Sequence, residues 1–508
     1  MFRKTLFNSK IDIYQKIKNT KNWIMQGCVG IPHLLWHSAD PLVFGLEKVA
    51  TGFGLNFILS FTEDGGDDCK WLVDEDFIME RGRALVTDLN FIRRQVARWR
   101  VTEKAFNMIV RQLEGKGITD LAGDYQKFSA LYRQEYAAAF FTEYITIASD
   151  KIVEEIKKKH PKISDDDLQT LIYPVGETFI NQESLASFTI GLKLKLALGS
   201  KFSQLTWSQV QSKFPKISEA ITQHQKQFYW LASNYKYTQT VTPAQFFRNI
   251  KESVIYLKAS EIKKKIVELR TLDQEMARKK RKIVRQIKLS KDDLIKLQII
   301  AINGWWHDRR KKANMIGSFW LNQFLRRASR RYGVDFELLQ YTLKPEFDQL
   351  LTAGKIDQAT LKNRVKGCVH FMAKDGADVI LFGQDFRYLK QKLLGSRQLS
   401  AVNDFRGVIA SRGKVQGKVR IVINPNKNAF KEGEILVTSM TRPDFVPLMR
   451  KAVAIITDEG GLTSHAAIIS RELGIPCLVG TKIATHVLHD GQIVEVNANH
   501  GIVKVVKS

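Results

Sequence analysis

The hydrophobic pattern of this sequence changes near residue 400, and this change limits the possible folds more than any other feature. Residues 81–395 carry apolar side chains at helical spacing, for example Phe106, Ile109 and Leu113, with few prolines between them. The rest of the chain has short β-branched runs separated by glycine-bearing turns. These runs lie at 419–423, 435–438, 453–457, 493–496 and 502–506. The pattern therefore predicts a helical region followed by a compact α/β region.

The chain of 508 residues is too long for a single hydrophobic core, so the sequence predicts several domains. We expect a mixed N-terminal segment of uncertain fold at 1–80, a mostly α-helical domain at 81–395, a linker at 396–404 and an α/β domain at 405–508. Within the helical part, Ser290 is followed by acidic residues, which predicts a helix N-terminus there.

Cysteine usage and hydropathy indicate a reducing compartment. The four cysteines are scattered, with neither a C-x-x-C pair nor zinc-finger spacing. No run of about 18 apolar residues follows the basic N-terminus or occurs elsewhere. We therefore expect a cytoplasmic protein without membrane attachment and without a structural metal.

The charge balance favours anionic partners. Lysine and arginine total 79 against 52 aspartate and glutamate residues, which gives a net charge of +27. Nucleotides, phosphorylated substrates and nucleic acids would all suit such a protein. Dense basic runs lie at 263–265, 278–282 and 309–312, and they are typical of the solvated faces of lysine-rich helices. No nucleic-acid-binding motif accompanies them, so a basic nucleic-acid-associated helical protein stays only an alternative.

The segment around His465 carries the candidate chemistry. Gly460 and Gly461 follow a strand and allow a sharp turn, and Thr463 and Ser464 then precede the histidine. A helix that begins here would direct backbone amides and partial positive charge toward a phosphoryl group, to which the two hydroxyls could donate hydrogen bonds. Neutral imidazole is a competent nucleophile near pH 7, and it needs no metal. By spacing alone, a histidine that only caps the helix is the favoured interpretation.

Six motifs in a fixed order give a more specific signal. They are Ala410–Arg420, Gly433–Thr438, Thr441–Asp444, Gly460–Ile468, Arg471–Pro476 and Asp490–Gly491. On these motifs, residues 407–506 resemble the swivelling phosphohistidine domain of the phosphoenolpyruvate-utilising enzymes, a family that includes phosphoenolpyruvate synthase, pyruvate phosphate dikinase and rifampicin phosphotransferase. The resemblance implies that His465 is the phosphorylated residue, and that the glycines and hydroxyl residues before it contact the phosphate.

Three further residues are candidates for supporting roles. Thr441 and Asp444 come before the strand that leads to the histidine and could line the same face, although a turn cap explains them equally. Arg471 lies 6 residues after His465 and therefore on another side of the helix. A structural salt bridge is the preferred interpretation of Arg471.

A weaker resemblance extends into the helical region. The segments concerned are 228–235, 331–334 and 343–346. They are similar to the helical part that precedes the swivelling domain in the synthase and rifampicin phosphotransferase branch, which holds the acceptor in the antibiotic enzymes. Trp305, Trp306 and His307 could then belong to an acceptor pocket, but aromatic residues that pack between helices are the favoured explanation.

No nucleotide-binding module is recognisable in the sequence. An ATP-grasp module needs roughly 200 residues, which the N-terminal segment cannot supply. Gly413–Val419 lacks the spacing of a Walker A loop, and Gly52–Gly54 lacks a third glycine. We therefore expect no cofactor in this chain, and ATP with Mg²⁺ on a separate ATP-grasp protein or subunit. Because the last strand ends close to Ser508, we expect no barrel after it and no pyruvate chemistry within this chain.

These features together predict a phosphotransferase component. His465 would carry a phosphoryl group from a donor site on the partner to an unidentified small-molecule acceptor near the helical domain, by rigid-body motion about the linker. A non-catalytic binding or regulatory protein that retains the swivelling fold stays open as an alternative.

Overall fold

The structure, a computed structural model, describes residues 13–507 except 239, 396–403, 426–428, 442–444, 462–463 and 482. The predicted linker at 396–404 therefore lies almost entirely outside the described residues. The strands are β1 (Trp23–Cys28), β2 (Phe57–Glu63), β3 (Asp68–Asp74), β4 (Cys368–Ala373), β5 (Asp378–Phe382), β6 (Asp404–Arg406), β7 (Val408–Ser411), β8 (Lys414–Ile421), β9 (Ile435–Thr438), β10 (Ala454–Thr457), β11 (Cys477–Val479), β12 (Ile493–Asn497) and β13 (Ile502–Lys507).

Helices make up most of the chain between β3 and β6, and others lie among the strands. They are α1 (Pro32–Asp40), α2 (Leu46–Val49), α3 (Glu75–Leu85), α4 (Leu89–Lys116), α5 (Leu121–Ala139), α6 (Phe141–Lys159), α7 (Asp165–Ile172), α8 (Phe179–Leu198), α9 (Trp207–Lys213), α10 (Pro215–Phe228), α11 (Pro243–Val254), α12 (Ala259–Gln286), α13 (Lys291–Tyr332), α14 (Phe336–Leu339), α15 (Lys344–Ala353), α16 (Gln358–Val365), α17 (Gln384–Leu394), α18 (Val446–Met449), α19 (His465–Leu473) and α20 (Ala484–Val487). A π-helical stretch, Pro41–Gly45, joins α1 to α2.

The long helix α13 runs through the helical region. It begins where the sequence predicted, since Ser290 is the N-cap and its Oγ accepts a hydrogen bond from the amide of Asp293 at 3.1 Å. Helices α5 and α6 pack against α13. The core between them is aromatic, with Trp306 and Phe324 fully buried. The predicted mostly helical region is confirmed.

The N-terminal segment and the helical region share one antiparallel sheet, of strand order β1-β3-β2-β4-β5. Strand β2 pairs with β4 in a register that runs from Phe57 opposite Ala373 to Thr62 opposite Cys368. The domain boundary expected near residue 80 thus falls inside one structural unit. Because every residue of β4 is buried, its sequence lacks the alternation that signals a half-exposed strand.

The C-terminal region is a compact α/β unit, as its β-branched runs and glycine turns predicted. Its sheet has the order β6-β13-β12-β8-β9-β10-β11-β7. The central strands β8, β9, β10 and β11 are parallel, and the flanking pairs are antiparallel. Helix α19 connects β10 to β11, so the loop that precedes this helix lies at the carboxyl end of a parallel strand. Ligands commonly bind at that edge of α/β sheets.

Gly82 tests the packing of α3 on α6. A Cβ at Gly82 would overlap the carbonyl of Tyr144 and lie 2.6 Å from Cβ of Ala148. We expect Gly82→Ala to lower the free energy of unfolding by roughly 1–3 kcal/mol, because the two helices must separate. Gly115 in α4 is the matched control, since a Cβ there meets no atom within 4 Å. Gly115→Ala should be neutral or stabilise by up to about 1 kcal/mol, as measured by urea unfolding followed by circular dichroism. Equal effects of the two substitutions would contradict this packing.

Candidate functional site

His465 lies at the first position of α19, at the end of a tight loop. Strand β10 ends at Thr457, and Gly460 then adopts a φ of +99°, which favours glycine. The Oγ of Ser464 caps the helix by accepting a hydrogen bond from the amide of Ala467 at 3.3 Å. The histidine therefore sits at the positive end of the helix dipole, as predicted.

Thr441 fixes the orientation of the imidazole ring. Its Oγ1 lies 2.9 Å from Nδ1 of His465, and both side chains are buried, with the histidine only 6% exposed. The prediction that Thr441 lies on the same face as His465 thus agrees with the geometry.

His465 borders a cavity of about 190 Å³ between the α/β unit and the helical region. The α/β unit contributes the following lining residues: Met440, Thr441, Glu459, Gly460, Ser464, His465 and Ala466. The apolar wall from the rest of the chain comprises Leu42, Leu55, Ile58, Trp71, Val73, Ile78, Phe140, Ile147 and Met315. Polar side chains from the helices complete the lining. The histidine thus borders a partly open space that is mostly apolar.

A charged cluster from α6 and α13 lies in the same cavity. His307 and Arg310 are one helical turn apart on α13 and both reach Glu143 of α6. Nε2 of His307 is 3.3 Å from Oε1 of Glu143, and a guanidinium nitrogen of Arg310 also donates to that oxygen. The fork of Arg310 and the carboxylate of Glu143 therefore form a buried ion pair beside the imidazole.

The protonation states in this cluster follow from burial and from the neighbouring charges. Burial alone would raise the pKa of Glu143, but Arg310 and His307 hold it well below its usual range. Burial, with a contribution from Lys311, lowers the pKa of His307 to about 4. At neutral pH Glu143 is thus a carboxylate and His307 is a neutral ring whose Nε2–H donates to it.

Polar groups of the helical region lie next to this cluster. Nδ2 of Asn314 donates to the hydroxyl of Tyr235 at 2.9 Å, and that hydroxyl is 3.4 Å from the hydroxyl of Tyr136. Ser233, Asn234 and Ser318 also line the cavity. The polar lining is therefore concentrated on α13 and on the segment before α11.

The remaining predicted site residues have different surroundings. Gly461 packs against Asp150 of α6, so closely that a Cβ would overlap the carboxylate. Thr463 and Asp444 lie outside the described residues. Arg471 is directed along its own helix, where its Nε donates to the carbonyl of Ala467 at 2.7 Å. This backbone hydrogen bond anchors the side chain to its own helix, and the salt bridge of Arg471 stays a prediction.

The structure gives two of the residues of the acceptor-pocket hypothesis, His307 and Trp306, different surroundings. His307 lines the cavity, whereas Trp306 is fully buried in the aromatic core, 5.9 Å from Trp99 between ring centroids. Glu143 and Arg310 were missed by sequence reasoning. Arg310 belongs to a basic run that was interpreted as a solvated face, yet it is only 2% exposed. The signal that could have identified Arg310 as buried was the aromatic character of the helix on both sides of this basic run.

Comparison with known proteins identifies the C-terminal unit. The family model of the PEP-utilising enzyme mobile domain matches residues 430–501. A probable phosphoenolpyruvate synthase of Archaeoglobus fulgidus is 54% identical over 99 residues, which are 19% of this chain and 13% of that protein. The phosphoenolpyruvate synthase of Pyrococcus furiosus is 54% identical over 106 residues, with coverage of 20% and 13%. The uncharacterized phosphotransferase YvkC of Bacillus subtilis is 46% identical over 105 residues, with coverage of 20% and 13%.

The chain therefore contains a mobile domain of the PEP-utilising enzymes at its C-terminal end, and the resemblance carried by the motifs is confirmed. The matched part spans about an eighth of the length of these relatives.

The described residues contain neither a cluster of metal-ligating side chains nor a membrane-spanning helix. Within that part of the chain, no group of three or more histidine, cysteine, aspartate or glutamate side chains could hold a metal ion. None of the described helices has the length and apolar character that crossing a membrane requires.

His307 predicts an acid-dependent loss of stability. Its pKa rises from about 4 in the folded protein to about 6.5 in the unfolded chain, so the unfolded chain binds the proton first as the pH falls. The wild type should lose roughly 2 kcal/mol more unfolding free energy than His307→Gln between about pH 7 and about pH 5. Urea unfolding of both proteins across this range measures the difference. If the unfolding free energies of the two proteins changed in parallel with pH, His307 would not be buried as a neutral ring.

Proposed function

We propose that this protein is a phosphotransferase in which His465 carries a phosphoryl group and delivers it to an acceptor bound in the cavity beside α13. The observation that carries the proposal is the position of His465. The imidazole of a mobile-domain match lies at a helix N-terminus and faces a cavity whose other walls come from the helical region. A histidine that only capped its helix would need no such cavity.

The hydrogen bond from Thr441 supports Nε2 as the phosphorylated nitrogen. Nδ1 is directed at the threonine hydroxyl, so Nε2 is the atom on the opposite side of the ring. The amides at the start of α19 and the hydroxyl of Ser464 would stabilise the negative oxygens of the phosphoryl group. Thr463 is proposed for the same role, together with the backbone of Gly460 and Gly461.

Side chains that line the cavity can take up the proton that transfer to a hydroxyl acceptor releases. The acceptor oxygen forms a bond to phosphorus, the N–P bond breaks, and its electron pair returns to Nε2 of His465. The proton of the acceptor hydroxyl passes to Nδ1 of His307, whose neutral ring Glu143 orients through Nε2. Arg310 and Lys311 bring positive charge to the same cavity and would offset the charge of the transferred group.

The side chains that line the cavity favour one chemical class of acceptor. Nine apolar side chains from the helical region and the first sheet face the cavity, and the polar groups cluster near α13. A small molecule with a mainly apolar body and one hydroxyl near His307 fits this distribution. A highly charged acceptor would leave its charges against the apolar wall without partners.

The phosphoryl donor is proposed to lie outside the described cavity. Curated relatives of the mobile domain include proteins named phosphoenolpyruvate synthase. By the resemblance to that family, an ATP-grasp protein or subunit that binds ATP and Mg²⁺ would phosphorylate His465. A cytoplasmic location, expected from the scattered cysteines, completes this proposal.

A phosphohistidine assay tests the function. The protein is incubated with radiolabelled ATP or phosphoenolpyruvate, alone and with the nucleotide-binding domain of a phosphoenolpyruvate synthase. We expect acid-labile, base-stable label that is lost in His465→Asn and kept in His489→Asn, because His489 is an exposed histidine of the same unit. Absence of acid-labile label in every arm, or label that persists in His465→Asn, would contradict the proposal.

A further inference from the structure

The α/β unit is docked on the helical region through contacts on several sides of the histidine loop. Oε1 of Glu459 accepts a hydrogen bond from the amide of Gly27 in β1 at 2.8 Å. Nε2 of Gln169 donates to the carbonyl of Ile409 at 3.2 Å. Gly461 meets Asp150 on the other side. In this arrangement His465 is almost inaccessible to solvent, so any donor must reach it after the unit has moved.

Among the described residues, three groups of ion pairs join the two parts, and they differ in burial. Arg412 pairs with Asp165 and Asp166, and its side chain is 44% exposed. Lys451 pairs with Glu252, and these side chains are 38% and 46% exposed. Exposed pairs of this kind contribute little to stability. The third pair is more buried than these two.

Arg450 and Glu183 form this buried pair, which we call the docking ion pair. Nη2 of Arg450 donates to Oε2 of Glu183 and to Oγ of Ser184, both at 2.9 Å. The two side chains are 21% and 9% exposed. Arg450 follows α18 in the α/β unit, whereas Glu183 belongs to α8 in the helical region. The pair therefore forms only when the unit is docked.

Glu183 is held in place before Arg450 arrives. Its Oε1 accepts a hydrogen bond from Oγ of Ser187 at 2.7 Å and lies 3.4 Å from Nε2 of His224. Burial alone would raise the pKa of Glu183, but Arg450 and His224 lower it to about 2. In the docked protein the carboxylate is therefore ionised at neutral pH, and its contacts with Ser187 and His224 orient it toward the guanidinium.

We propose that the docking ion pair is a positioning device: it holds His465 in the acceptor cavity, and its rupture controls how often the histidine becomes accessible to a phosphoryl donor. The functional consequence rests on the proposed phosphotransfer. A hydrogen-bonded buried charge pair can contribute a free energy large enough to change the docked fraction by one to two powers of ten. The exposed pairs at the same interface would change it far less.

The rate at which His465 reacts with a small reagent measures this opening. Phosphoramidate transfers its phosphoryl group to imidazole nitrogen with release of ammonia, and peptide mapping locates the product. When opening is a rapid pre-equilibrium, the observed rate is the intrinsic rate multiplied by the open fraction. The exposed His489 and His500 report the intrinsic reactivity within the same unit.

Glu183→Gln is the test variant, because it removes the charge but retains an oxygen for Ser187. We expect the rate of His465 relative to His489 to rise about 10-fold or more. Arg450→Lys, which keeps a cation, should raise the rate less than Arg450→Met. Glu252→Gln is the matched control for an exposed pair, and it should change the rate less than about 2-fold.

The outcomes separate this inference from the proposed function. Equal His465 rates in wild type and Glu183→Gln, with an unchanged unfolding transition, would overturn the docking ion pair even if the phosphohistidine assay succeeds. An increased rate in Glu183→Gln with no label from ATP or phosphoenolpyruvate would support the docking ion pair and reject phosphotransfer. A similar increase at His489 would indicate general loosening and would also reject the inference.

Discussion

The close approach of Gly461 to Asp150 is the contact on which the geometry of the candidate site depends. Any side chain at position 461 would overlap the carboxylate and push the histidine loop away from α6. Gly460 allows the turn just before it, through its positive φ. These two glycines let the first turn of α19 reach the cavity, and the hydrogen bond between Thr441 and Nδ1 of His465 then fixes the orientation of the imidazole ring.

The cavity combines two environments that favour different parts of an acceptor. Apolar side chains from the first sheet and from α3 and α6 exclude water, which strengthens the remaining electrostatic interactions. Glu143 neutralises Arg310 before any phosphoryl group arrives, so a buried cation is not left without a partner. In the proposed transfer, the same guanidinium would have further donors for a phosphoryl group on His465, because its fork presents five N–H groups.

Docking and release impose opposing demands on the interface. In the proposed cycle, His465 is docked in the cavity for transfer and leaves it to be recharged. The docking ion pair would then set the balance between the two states, and the more exposed pairs among the described residues would contribute less. The swivelling motion that the family resemblance implies would then depend on a few contacts rather than on a large apolar interface.

The sequence predicted the parts of the fold that rest on local patterns. The change from helical to β-branched periodicity marked the α/β unit, and Ser290 marked the start of α13, because both signals come from neighbouring residues. The first sheet was not predicted, since β2 meets β4 only through tertiary pairing and β4 has no alternation. His465 and Thr441 were found through their motifs. Glu143 and Arg310 come together across two helices, and no local spacing encodes that contact.

The central claim is that a phosphoryl group on Nε2 of His465 enters the cavity beside α13, and phosphorus NMR of the phosphoramidate-treated protein tests it most directly. The account predicts a phosphohistidine resonance of the Nε2 type that is absent in His465→Asn. That resonance should shift in Lys311→Gln, because Lys311 lines the cavity, and should stay unchanged in Lys279→Gln, because Lys279 is exposed on α12. A His465 resonance that is of the Nδ1 type, or that ignores Lys311→Gln, would contradict the account.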